Sequence, residues 1–176
     1  MKVCSKHDGF TLLEMVVTIA TLSLLAMLLT PYLSLSVQAY NENALESNVL
    51  GELRYATERI TRELREIRRN PSSLSDYEVS TPLVVGSISF VRNDGETVTI
   101  EDASPQLNMR YASVAANAAF PLSNSLQLLT FNYLRNDEVT PATGSSDLAY
   151  IEFEIQLSSN GKTYSQRSRV SLRAQP

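Results

Sequence analysis

Three kinds of hydrophobic spacing succeed one another along the chain. Residues 9–35 read GFTLLEMVVTIATLSLLAMLLTPYLSL, an apolar run broken by one acid, Glu14. A run of about 20 apolar residues is long enough to cross a bilayer as a helix. From about Gln38 to Arg69 the spacing turns amphipathic: Leu45, Val49, Leu53, Ala56, Ile60, Leu64 and Ile67 recur every three or four residues, one helical stripe. Arg54, Glu58, Arg62 and Glu66 follow at spacing four on the other side, as do Arg59 and Glu63, a ladder of weak pairs. Asn70-Pro71 is expected to end the helix.

Beyond residue 71 the period falls to two. Residues 86–92 (GSISFVR) and 97–101 (TVTIE) flank Asn93-Asp94-Gly95, a hairpin signal, and bring Ile88, Phe90, Val98 and Ile100 to one face. Residues 107–111 suggest another strand, and the alanine-rich 112–121 reads as a loop. Residues 126–134 and 149–157 are the clearest strands; the second turns Ile151, Phe153, Ile155 and Leu157 inward and Glu152, Glu154 and Gln156 outward. Ser158-Ser159-Asn160-Gly161 then turns the chain into a last strand over 162–173. The pattern predicts an α+β fold, a long N-terminal helix whose second half packs on an antiparallel meander.

The acid inside the apolar run needs an explanation. A carboxylate in hydrocarbon costs roughly 3 kcal/mol on insertion scales, so it normally has a partner. Nothing basic lies between Glu14 and Arg54. Its positive charge must come from a lipid headgroup, another protein, or a newly exposed α-amino group. Lys2 and Lys6 flank the run on its N-terminal side and orient that end toward the cytoplasm. Thr18, Ala20, Thr21, Ser23 and Ala26 are small enough for close helix approach, and their hydroxyls can bond back to the preceding turn. There is no GxxxG motif. Pro31 leaves the carbonyl of Met27 without its helical donor, so a bend is expected at residues 27–31.

The block Gly9-Phe10-Thr11-Leu12-Leu13-Glu14, behind a short basic leader and ahead of a long apolar helix, resembles the prepilin signature of type IV pilins and type II secretion pseudopilins. The resemblance is specific over about the first third of the chain and architectural after that. It implies that a prepilin peptidase cuts between Gly9 and Phe10 and methylates the new terminus at Phe10. Glu14 then becomes the fifth residue of the mature chain and pairs with a neighbouring subunit's terminal ammonium, setting axial register. Pro31 falls where many pilins carry a helix-loosening proline, either a simple kink or a point that unwinds in the filament. The resemblance also implies a pilin-like fold divided into a leader (1–9), a transmembrane and assembly helix (10–36), its amphipathic continuation (37–70) and a periplasmic β domain (71–176). The implied partners are prepilin peptidase, other pilin or pseudopilin subunits, the inner membrane and its assembly platform. An ordinary secretory signal places its small-residue cleavage site after the apolar stretch, whereas Gly9 precedes it.

Composition narrows the classes further. The 176 residues accommodate one span and one modest domain. Cys4 and His7, the only cysteine and histidine, both lie within residues 1–9. A chain starting at Phe10 would therefore have no disulfide, departing from many pilins, and neither thiol nor imidazole for nucleophilic or zinc chemistry. With the leader removed the formal charge is −5, against −4 for the whole chain, which argues against general nucleic-acid binding. The arginines of RITRELREIRR are interleaved with glutamates, the pattern of a solvated helix face. Asp137, Glu138 and Asp147 in the loop 135–147 offer oxygen ligands for calcium, but their spacing matches no known calcium loop and a solvated acidic turn is the reading they favour. Tyr111, Tyr133, Tyr150 and Tyr164 suggest either an aromatic contact surface or strand packing. No enzyme is expected: Glu152 and Glu154, two apart on a strand, share a face instead of converging. The expected function is that of a minor pilin or pseudopilin; a single-span periplasmic binding module for DNA uptake or adhesion is the alternative.

Overall fold

The computed structural model describes residues 10–73, 76–114 and 118–172. Helix α1 runs over Leu12–Arg65, 54 residues, and two compact units divide the chain at Ala44 and Leu45.

In the first unit every described residue is exposed, including the large apolar side chains from Phe10 to Tyr40. The helix is long and apolar enough to cross a membrane. Several of its hydroxyls are satisfied within the helix itself, as an apolar surrounding would require. Thr18 Oγ1 donates to the Met15 carbonyl at 2.8 Å, Ser23 Oγ to Ile19 at 2.8 Å and Thr30 Oγ1 to Ala26 at 2.7 Å. Thr21 Oγ1 lies 3.0 Å from the Val17 carbonyl and 2.9 Å from that of Thr18. The back-bonding expected of these hydroxyls is present. At Pro31 the helical assignment is unbroken, so this segment is not unwound here.

The second unit, from Leu45, is built on the last turns of α1. Val49, Leu53, Ala56, Ile60 and Leu64 are buried, whereas Leu45, expected to open the stripe, is 47% exposed. The helix also stops at Arg65, four residues before the expected end at Arg69. Residues after it are drawn into extended pairing: Ile67 bridges to Arg92 and Arg69 to Tyr77. The Arg68 N–H donates to the Val91 carbonyl at 2.9 Å, and the Glu78 N–H to that of Arg68 at 2.9 Å. These long-range bonds replace the last helical turn and preserve Ile67 in the core.

Among the described residues seven strands form two antiparallel sheets where one meander was expected. The first holds β1 (Ser87–Val91), β2 (Thr97–Ala103), β3 (Gln106–Tyr111) and β4 (Ala119–Ser123) in sequence order; the second holds β5 (Leu126–Leu134), β6 (Tyr150–Ser159) and β7 (Lys162–Ser171). Strand β4 falls in the stretch expected to be loop. It pairs with β3 through Phe120 opposite Met109 and Pro121 opposite Asn108, as an edge strand that tolerates proline. In the predicted hairpin, the Gly95 N–H donates to the Arg92 carbonyl at 2.9 Å, and Gly95 takes the left-handed φ of 88° that such a turn needs. Register aligns Ile88 with Ile100 and Phe90 with Val98, placing all four in the core as the alternation predicts. Ile151, Phe153, Ile155 and Leu157 of β6 are likewise fully buried.

One charge sits within this core. Glu63, assigned by its spacing to the outer ladder, is only 3% exposed. Its Oε1 lies 2.9 Å from Arg59 and accepts a hydrogen bond from the Tyr111 hydroxyl at 3.0 Å. Its Oε2 stands 3.4 Å from Arg92 Nη1, an ion pair outside hydrogen-bond geometry. Burial raises the Tyr111 phenol above its ordinary value; the Arg59 hydrogen bond opposes this and Glu63 adds to it. The hydroxyl thus remains a neutral donor. A buried carboxylate so held links α1 to β3 and to the β1–β2 turn, and removing it leaves, among the described residues, Arg59 with only the Tyr111 hydroxyl and Arg92 with only Asp94 at 3.0 Å. Because both arginines keep partial access to water, Glu63→Ala is expected to lower unfolding stability by about 2 kcal/mol and Tyr111→Phe by about 1 kcal/mol. Denaturant unfolding of the full chain in micelles measures both; equal stability in Glu63→Ala would show that the carboxylate holds nothing.

Candidate processing and assembly site

Gly9, on the N-terminal side of the expected scissile bond, lies outside the described residues. Phe10 is 77% exposed and Thr11 precedes the helix. The Glu14 N–H donates to Thr11 Oγ1 at 3.3 Å and the Met15 N–H to the Thr11 carbonyl at 3.2 Å, so Thr11 is the N-cap and Glu14 the third helical residue. Thr11-x-x-Glu14 has the spacing of a capping box ahead of an apolar run, a signal legible in the sequence that the reading of Glu14 passed over. The first turn favours a negative charge because its unpaired N–H groups carry the positive end of the helix dipole. The Glu14 carboxylate is exposed and pairs with no cation among the described residues. Pro31 lies well inside α1, 17 residues beyond Glu14 in sequence.

The three acids of the 135–147 loop serve separate local tasks. Asp137 accepts from the N–H groups of Val139 (3.1 Å) and Thr140 (2.9 Å) and from the Thr140 hydroxyl. Those bonds, the hydroxyl first, hold its carboxyl below the usual aspartate range. Glu138, at a left-handed φ of 64°, reaches Arg169 at 3.1 Å. Asp147 accepts from the N–H groups of Thr143 (3.1 Å) and Gly144 (3.0 Å) and from the Thr143 hydroxyl (2.9 Å). Arg135 Nε stands 2.8 Å from Asp147, again outside hydrogen-bond geometry. The backbone N–H groups lead in pulling the Asp147 carboxyl down to about 2. No set of three potential metal ligands converges among the described residues.

The other candidates also resolve into local partners. Glu152 and Glu154 lie along β6, facing Arg169 and Arg167 of β7 at 2.9 Å each. Of the i,i+4 ladder on α1, the Arg59–Glu63 pair closes at 2.9 Å; beyond the helix, Arg68 pairs with Glu78. Tyr133 is buried and donates to the Val84 carbonyl at 2.9 Å, and burial pushes its phenol up; Tyr111 belongs to the Glu63 group. Tyr150 and Tyr164 are half-buried on β6 and β7, so the four tyrosines are packing residues of both sheets. The feature missed in the sequence is Glu63 with Arg92 and Tyr111. Its one sequence signal is position: Glu63 lies three residues after Ile60 and beside Leu64, on the border of the buried stripe.

Because the folded carboxyl of Asp147 lies below the ordinary 3.8, its contribution to the loop is complete above that value and is lost as pH falls through about 2. Hydrogen exchange at the Thr143 and Gly144 amides is expected to stay slow at pH 5 and to accelerate as the pH approaches 2. Asp147→Asn should remove that pH dependence, and an unchanged profile would separate the carboxylate from the loop's order.

Compared with known protein families, characterised proteins and solved structures, the chain matches none.

Proposed function

We propose that this chain is a minor pilin or pseudopilin, a structural subunit that prepilin peptidase processes at Gly9 and that enters a type IV pilus or related filament. The observation that carries the reading is the block from Gly9 to Glu14 placed directly before an exposed apolar helix, where cleavage leaves the helix attached to the chain. The α+β organisation of the second unit, with α1 lying on antiparallel sheets, supports it. In this reading the chain waits in the inner membrane with its C-terminal domain in the periplasm. An assembly platform then moves it into the filament beside other subunits.

The mechanism is association without covalent chemistry by the chain. Apolar side chains from Leu12 to Leu35 exchange lipid contacts for helix contacts. Glu14, which pairs with no cation among the described residues, gains the Phe10 ammonium of a neighbour, and an ion pair in a low-dielectric setting rewards one axial position over others. Pro31 gives the segment a weak turn at which packing can adjust.

Mass and N-terminal sequence of the protein from membranes with and without prepilin peptidase test the reading. A chain starting at methylated Phe10 only when the peptidase is present is the expected result. An intact Met1 in both would sink it and leave a membrane-anchored periplasmic domain. Glu14→Leu is expected to retain processing while lowering recovery in sheared filaments by about tenfold, the scale of one lost charge pair in a poorly solvated site.

A further inference from the structure

The sheet edges of the second unit are not treated alike. The outer side of β1 is covered by the bridges from Ile67 and Val79. That of β5 is met by the Val85 carbonyl, which accepts from Phe131 at 2.6 Å, and by the bridge between Leu134 and Pro141. Strand β4 is short and contains Pro121. Strand β7 is ten residues long, pairs with β6 along its whole length, and has no strand on its other side.

Its hairpin fixes which backbone groups face outward. Asn160 (φ 53°) and Gly161 (φ 76°) form a two-residue turn between Ser159 and Lys162, and a turn of that type makes the flanking pair a hydrogen-bonded one. Hydrogen-bonded pairs then recur at every second residue. The even-numbered residues of β7 therefore bond to β6, and the Leu172 N–H, donating to the Ala149 carbonyl at 2.9 Å, keeps that parity. The N–H and C=O of Thr163, Ser165, Arg167, Arg169 and Ser171 point away from β6, and among the described residues they have no hydrogen-bond partner.

Beside this edge lies a trough against the end of α1. Two adjoining cavities of about 410 and 450 Å³ share Arg65; one is lined by Arg169, Val170 and Ser171, the other by residues that include Thr61, Arg62 and Ser168. That is room for a short peptide. Thr61 and Ser168 meet across it, their hydroxyls 3.5 Å apart. Glu58 and Glu66 also line it, the latter accepting from Asn93 at 3.4 Å. Arg62 and Arg65 have no carboxylate within ion-pair distance among the described residues, whereas Arg167 and Arg169 are held by Glu152 and Glu154.

We infer that the outer edge of β7 is a docking site for an extended acidic segment of another protein, which adds to the second sheet as a further strand. Main-chain bonds to the outward N–H and C=O groups supply the pairing, as in other strand additions, and acidic side chains meet Arg62 and Arg65. Charge selects the occupant. With Arg167 and Arg169 held by carboxylates of β6, the cations along this edge without a carboxylate at ion-pair distance among the described residues are Lys162, Arg62 and Arg65, and β7 contains no acid. A second copy of β7 would bring like charges together, which is unfavourable in cross-strand pairs. The inference goes beyond the filament reading and does not depend on it.

The probe is an acetylated eight-residue peptide alternating valine and glutamate, compared with one alternating valine and lysine, added to the full chain in detergent micelles. Hydrogen exchange over residues 162–171 is read by mass spectrometry. The glutamate peptide is expected to slow exchange there and the lysine peptide to leave it unchanged. Ser171→Pro removes one outward N–H and should abolish the effect; Arg62→Glu combined with Arg65→Glu should weaken it at least about tenfold. Circular dichroism reports whether Ser171→Pro folds, and if it does not, the double arginine variant decides, because both side chains are exposed. Equal slowing by both peptides, slowing by neither, or an arginine variant that binds as well as the parent would overturn the inference. So would slowing that rises with protein concentration in the absence of peptide, which would make a second copy the occupant.

Discussion

Both sheets bury their inner faces in one core, and the only helix that contributes to it among the described residues is the end of α1. Val49, Leu53, Ala56, Ile60 and Leu64 form a stripe wide enough to meet Ile88, Phe90, Val98 and Ile100 of the first sheet and Phe131, Phe153 and Ile155 of the second. A sheet exposing such a face to water would lose roughly 25 cal/mol for each Å² left uncovered, so the stripe is a condition of both sheets existing. The stripe sets which side of the helix faces the sheets. Glu63, at its border, adds polar specificity, because it reaches Tyr111 and Arg92 only in that orientation.

Upstream of Leu45 the same helix follows different rules. Its side chains are exposed along a segment long and apolar enough to cross a membrane, and the hydroxyls of Thr18, Thr21, Ser23 and Thr30 are bonded to carbonyls three or four residues earlier. Propensity plays little part in either half. What differs is where the apolar surface goes: outward, all round, in the first unit, and to one stripe in the second. A single element thus carries two burial programmes, and the boundary between them falls where Leu45 is still half open and Val49 is closed.

Much of this was legible from spacing. The stripe from Val49 to Ile67, the Asn93-Asp94-Gly95 hairpin, the alternation of β6 and the turn at Asn160-Gly161 are local signals, and the structure contains each. What escaped depended on contacts distant in sequence. Strand β4 emerges from an alanine-rich stretch and contains Pro121, so it does not read as a strand, and it exists because β3 offers it partners. The helix ends early because Val91 and Glu78 capture the backbone of Arg68, which no local propensity announces. Glu63 reads as a surface charge by its i−4 arginine, and only Tyr111 and Arg92, brought in by β3 and the first hairpin, make it an interior one. At the candidate site the order from Gly9 to Glu14 was legible as a motif, while the cap made by Thr11 was hidden behind the attention drawn by the acid.

That cap has a consequence of its own. Thr11 Oγ1 receives the main-chain N–H of Glu14 and not its carboxylate, so the geometry that begins the helix is indifferent to which side chain stands at position 14. The acid still favours the first turn through the helix dipole, but that contribution is separate from the hydrogen bond that caps it. A substitution at position 14 can therefore change the charge at the start of the helix while Thr11 still caps its first turn.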